Sequence, residues 1–120
     1  MRRFKYLDEL TEALDVFDYD RVVSFLSDDC YFQAGNLPPV IGKQNISNML
    51  NSFRDSLMKV THRIDDVIES EDSAVYYGEV SYKKTNGFEI TVPVCDVFKL
   101  RDNKIEKYYI FIDWSALLSN

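Results

Sequence analysis

Apolar residues take every second position from Phe88 to Leu100, so Phe88, Ile90, Val92, Val94, Asp96, Phe98 and Leu100 share one face of a predicted strand. Six of these seven are apolar and the other is a carboxylic acid. Earlier in the chain the spacing is helical. Leu7, Leu10, Leu14 and Phe17 predict a first helix over residues 4–17. Asp20 is the expected N-cap of a short second helix carrying Val22, Val23, Phe25 and Leu26, closed by Ser27-Asp28-Asp29. Residues 30–33 read as a short strand, and 36–42, containing Leu37-Pro38-Pro39, as a loop. Ile46, Met49, Leu50, Phe53 and Leu57 define a third helix. Strands follow at 60–68, 74–83, 88–100 and 104–112, with polar 69–73, Asn86-Gly87 and Asp102-Asn103 as turns between them. Helices followed by a run of hairpin-linked strands predict an α+β fold in one domain spanning residues 1–120. The strands are expected to form one curled antiparallel sheet with three helices on its concave face. The cavity between the layers is where Asp96 points.

A buried carboxylate is costly unless it is paired or held neutral by a raised pKa. Either response makes Asp96 the first candidate for chemistry; the alternative is a strand-end acid turned toward water. Aromatic residues make up 14% of the chain, including eight tyrosines, eight phenylalanines and one tryptophan, enough ring surface to line a pocket as well as fill a core. The net charge of −6 comes without any basic run, which argues against a nucleic-acid partner. No apolar stretch approaches the roughly 18–20 residues that span a bilayer, so no membrane association is expected. The basic start, Met1-Arg2-Arg3-Phe4-Lys5, leads into a helix with acids and not into an apolar signal core, so a cytoplasmic protein is expected. Cys30 and Cys95 match no metal spacing and read as reduced structural thiols.

Other residues have two readings each. His62, the sole histidine, alternates with Val60, Ile64 and Ile68 and should face inward. Near Asp96 or Asp113 it would form an acid/base pair; otherwise it is a hydrogen-bonded core residue. Without a second histidine a metal site is not expected. Asp113 is either an acid/base at the pocket mouth or the cap of a terminal turn over residues 114–118. It groups by alternation with Ile105, Lys107, Tyr109 and Phe111, opposite Tyr108, Ile110 and Ile112; either set can face the cavity, and a bulge would switch them. Glu79 reads as a glutamate on the outer face of its strand.

Leu26-Ser27-Asp28-Asp29 before a strand, Gly42-Lys43 entering the third helix, and Asp96-Val97-Phe98-Lys99-Leu100 leading to Lys104-Ile105 and Asp113-Trp114-Ser115 resemble the nuclear transport factor 2-like superfamily, and more closely its SnoaL-like group. That group includes polyketide cyclases, ketosteroid isomerases and limonene-type epoxide hydrolases. The resemblance implies a conical barrel, a bent sheet around a long helix with a mostly apolar pocket, and often a homodimer formed through the sheet's outer face. It also implies which groups are present. Pro93-Val94-Cys95-Asp96-Val97-Phe98 is similar to the isomerase strand bearing a protonated acid, but the isomerase tyrosine falls on Leu10 and its base on Ala34. Leu37-Pro38-Pro39 with Gly42-Lys43 resembles the hydrolase loop. Asp113 matches a hydrolase aspartate and Glu79 falls near the other, while the linking arginine falls on Tyr77. The water-holding tyrosine and asparagine fall on Phe32 and Ala34. The cyclases use an aspartate close to the Asp113 position.

Two functions follow. The first is a SnoaL-like enzyme, isomerase- or cyclase-like before hydrolase-like, with Asp96 as neutral donor, Asp113 as acid/base and His62 as auxiliary proton carrier. It would act on a small, largely apolar, oxygen-bearing molecule bound among Phe32, Phe53, Val94, Phe98, Tyr108 and Ile110, with no cofactor. The second is a non-catalytic ligand-binding or dimeric assembly module of the same fold.

Overall fold

The computed structural model describes residues 6–120. The expected helix start at Phe4 and the basic residues before it lie outside them. In chain order the elements are α1 (Tyr6–Asp15), α2 (Tyr19–Ser24), β1 (Leu26–Ala34), β2 (Val40–Ile41), α3 (Lys43–Arg54), β3 (Leu57–Glu69), β4 (Ser73–Lys84), β5 (Glu89–Arg101), β6 (Lys104–Phe111) and α4 (Ser115–Ser119). The fold is α+β, as expected. None of its described helices is long and apolar enough to cross a membrane.

α1 buries Leu7, Leu10 and Ala13. It stops in a Schellman turn: Asp18 N–H donates to Ala13 O at 2.9 Å and Phe17 N–H to Leu14 O at 3.3 Å. The left-handed position of that turn is held by Phe17, φ 61°, where glycine is the usual occupant. Asp18, not Asp20, caps α2, its Oδ1 accepting from Arg21 N–H at 3.2 Å. The chain then enters β1 at Leu26, four residues before the expected strand, because the Ser27–Asp29 run forms an extended edge and not a helix end. Leu57 likewise opens β3 and does not close α3.

The six strands lie in the order β2-β1-β6-β5-β4-β3. From β3 to β6 the pairs are antiparallel hairpin neighbours. The expectation of a wholly antiparallel sheet is corrected at β1, which runs parallel to β6, with Phe32 opposite Tyr108. Hairpin signals specify only neighbours in sequence, and this pair joins the two ends of the chain. The β5–β6 turn is a two-residue connection with Asp102 and Asn103 both at positive φ, 52° and 62°. Immediately after it the register slips, leaving Glu106 without a partner on β5. This bulge lets both Ile105 and Tyr108 face the core while Lys107, Tyr109 and Phe111 face outward. A second irregularity in β3, between Ile64 and Asp66, brings its backbone against Gly78 of β4, where a Cβ would sit 1.9 Å from Arg63 O. The expected alternation of β5 is met: Val94, Asp96, Phe98 and Leu100 are buried under the helices.

Candidate active site

α1, α2 and α3 do not pack flush against the sheet. Between them lies an apolar cavity of about 60 Å³, room for a few water-sized groups. Five of the six residues expected to touch ligand line it: Phe32, Phe53, Val94, Tyr108 and Ile110. The sixth, Phe98, is fully buried behind the wall, its ring packed on Tyr76 and Tyr108 with centroids at 5.4 and 4.7 Å. The single tryptophan, Trp114, also lines the cavity. It stacks on Phe53 at 4.8 Å and donates its indole N–H to Tyr82 Oη at 2.9 Å.

Asp96 is in this wall and is 1% exposed. β5 places it there because its neighbours at two-residue spacing are core residues. Its Oδ2 receives a long contact, 3.5 Å, from the Tyr108 hydroxyl, while Oδ1 has no hydrogen-bond partner. Burial pushes its carboxyl up to about 7, against the opposing effects of Tyr76, the charge of His62 and Tyr108. The Tyr76 phenol lies close enough to act on the carboxyl, yet no acceptor is aligned on its hydroxyl. Near neutral pH, then, the site holds a buried carboxyl on the edge of ionisation, one of whose oxygens makes no hydrogen bond.

His62 lines the same cavity from β3. Its Nδ1 lies 2.5 Å from Asp15 Oδ1, and its backbone N–H donates to Asp15 Oδ2 at 3.2 Å. A carboxylate only accepts, so the Nδ1 contact requires the proton on Nδ1 and leaves the Nε2 lone pair unprotonated in the neutral ring. Both Asp15 oxygens are thus spent on fixing His62. The arrangement is a carboxylate–imidazole pair and a buried carboxyl of raised pKa lining the same apolar cavity. It can accept a proton at one point and donate a hydrogen bond at another.

Asp15 is absent from the sequence expectations, although a signal for it exists. An acid in the last turn of a helix opposes the helix dipole and needs a partner elsewhere. Asp113 stands apart from the cavity. It is exposed, and its Oδ1 accepts from Ser115 N–H at 2.9 Å at the entry to α4; the Ser115 hydroxyl first, and then this backbone N–H, hold its carboxyl below the ordinary value. The bulge in β6 leaves Lys107, Tyr109 and Phe111 of the Asp113 alternation set outside. Glu79 also lies on the outer face, paired with Arg63. Among the described residues, no three His, Cys, Asp or Glu side chains are grouped to hold a metal ion.

The fold is shared with several solved structures. An NTF2-like protein of unknown function from Burkholderia pseudomallei is 16% identical with a TM-score of 0.89, over 99% of this chain and 97% of that one. A protein with a ketosteroid isomerase-like fold from Catenulispora acidiphila, in complex with trimethylamine, is 12% identical with a TM-score of 0.84, over 94% and 88%. An LEH-like epoxide hydrolase from M. tuberculosis is 16% identical with a TM-score of 0.81, over 97% and 86%. At these identities the likeness is one of fold. No curated protein matches the chain significantly in sequence. Residues 7–108, most of the chain and all the strands that carry the cavity's polar groups, match the SnoaL-like domain, and the protein belongs to that family.

Proposed function

We propose that this protein is an acid/base catalyst that moves a proton on a small, largely apolar, oxygen-bearing molecule, in an isomerisation or cyclisation. One observation carries the reading: His62, anchored by Asp15, and a buried Asp96 with an unpartnered oxygen meet in one apolar cavity. In the reaction, a C–H bond next to a carbonyl breaks and its proton passes to His62 Nε2. The electron pair moves to the carbonyl oxygen, which takes a hydrogen bond from the protonated Asp96. His62 then returns the proton at another carbon, or the new carbon nucleophile attacks a second carbonyl in the same molecule, whose π pair moves to its oxygen and takes the proton back from His62. Asp15 is a positioning residue that fixes the ring and its tautomer. Asp113 and Glu79 have no part in this reading.

The test is deuterium uptake. Small cyclic ketones and enones are incubated with protein in D₂O, and NMR follows exchange next to the carbonyl. The wild type should accelerate exchange of those that bind. His62→Gln should lose on the order of 10²-fold or more, the usual worth of a positioned base, and Asp96→Asn should abolish turnover. Binding with no exchange favours the other reading, a ligand-binding module without turnover. The narrow cavity and the apolar residues Leu10 and Ala34, where the resembled isomerases carry catalytic groups, point toward that alternative.

A further inference from the structure

The cavity's mouth can be located from its lining. Leu14, Phe53, His62, Ile110 and Trp114 are the lining residues with partial solvent contact, and the mouth lies between the ends of α1 and α3 and the entry to α4. Arg54, the last residue of α3, is exposed and follows the lining residue Phe53 in sequence. Its guanidinium lies 4.7 Å from the centre of the Phe17 ring. That ring is presented by the left-handed backbone that ends α1, a conformation unfavourable for a bulky residue. Burial raises the pKa of the cavity residue Tyr19, and the charge of Arg54 works against that rise, which places the guanidinium within electrostatic reach of the lining.

Arg54 also differs from the other arginines described. Arg21 pairs with Glu9, Arg63 with Asp65 and Glu79, and Arg101 with Asp29 and Glu106. Among the described residues, Arg54 has no carboxylate within ion-pair distance, even though the chain carries a net charge of −6 and Asp55 follows it directly. A guanidinium held over an aromatic face keeps its in-plane N–H fork free for a planar anion.

We propose that Arg54 is a specificity residue that receives the carboxylate of the cavity's ligand, making the ligand class a small apolar acid with its anionic group at the mouth. This rests on the cavity being the ligand site, as argued above. The acid would enter by its apolar end, a short chain that the narrow cavity can take, with its carboxylate at Arg54.

Trp114, the sole tryptophan, makes the test direct, because its fluorescence reports occupancy of the cavity. Wild type, Arg54→Gln and Arg54→Lys are titrated with butanoate and with its uncharged amide, at pH 7.5. The wild type should bind the acid roughly fivefold more tightly than the amide, the upper range for an exposed ion pair. Arg54→Gln should bind the two alike, Arg54→Lys should keep part of the preference, and added salt should shrink it. Equal binding of acid and amide by the wild type, or a preference that survives in Arg54→Gln, overturns the role of Arg54 and leaves the cavity reading standing. Binding of neither probe overturns the cavity reading and this inference with it.

Discussion

Replacing Asp96 by asparagine should stabilise the protein at alkaline pH and leave it nearly unchanged in acid. Asparagine keeps the shape of the neutral carboxyl and cannot ionise. In the wild type the carboxyl titrates at about 7 when folded, against an ordinary value of 3.8. Below pH 4 it is protonated in both the folded and unfolded chain and contributes no difference. Between about 4 and 7 the unfolded chain has released this proton and the folded chain has not, so stability falls as pH rises. Above about 7 the loss is complete. At about 1.4 kcal/mol per pH unit it amounts to about 4 kcal/mol. Urea unfolding of both proteins from pH 4 to pH 8.5 measures it, and the difference between them cancels titrations shared by the two chains. With a denaturant slope of about 2 kcal/mol per molar, the midpoints should coincide near pH 4 and separate by on the order of 2 M at pH 8.5, the variant being the more stable. A difference that is flat with pH, or a wild type more stable than the variant in alkali, would refute the claim that Asp96 is buried and unpaired. The free Oδ1 would then have a partner strong enough to stabilise its charge.

Other outcomes follow from the same geometry. Asp15→Ala should cost about 1–3 kcal/mol in urea unfolding, since it strips two hydrogen bonds from His62 and leaves a part-buried N–H without an acceptor. Asp15→Asn should lose less stability but still slow any proton exchange, because the amide no longer selects the Nδ1–H tautomer. Gly78→Ala should lower the melting temperature by several degrees or prevent folding, because its Cβ would lie 1.9 Å from the backbone oxygen of Arg63. A melting temperature equal to that of the wild type would mean that β3 and β4 are further apart at the bulge. Thiol titration should separate the two cysteines. Cys30 is fully buried with its pKa pushed up to about 12, so it should react only on unfolding, while the partly exposed Cys95 reacts in the native protein.

Much of this site is written in local patterns. The period-2 run in β5 and the inward placement of His62 in β3 are visible because one face of each strand is buried, and burial leaves a hydrophobic record. Asp96 stands out as the one departure from that record. The bulge at Glu106 is less legible, since a slipped register depends on how two strands meet across a turn. It is the bulge that turns Tyr108 and Ile110 inward and leaves Lys107, Tyr109 and Phe111 outside. The start of β1 at Leu26 was hidden for a different reason: Ser27-Asp28-Asp29 has the composition of a helix stop, and only the pairing with β6 makes it strand. Asp15 needed the same kind of knowledge, for its partner lies 47 residues away.

The parallel pairing of β1 with β6 has a consequence for the order of assembly. β3 to β6 are successive hairpins, whose short connections cost little entropy to close. β1 must find β6 after most of the strands are available, bringing with it Leu26 and Phe32 on one side of the cavity. The sheet's local half can therefore form early, with β1 docking late. Truncating a side chain at that seam, as in Phe32→Ala, should chiefly accelerate unfolding and leave the folding rate little changed, whereas truncating Val80 within the hairpins should slow folding. A growing chain that has not yet released β6 holds His62 in β3 and Asp96 in β5 but has no closed cavity around them. Whatever this site does begins only once the two ends of the chain have met.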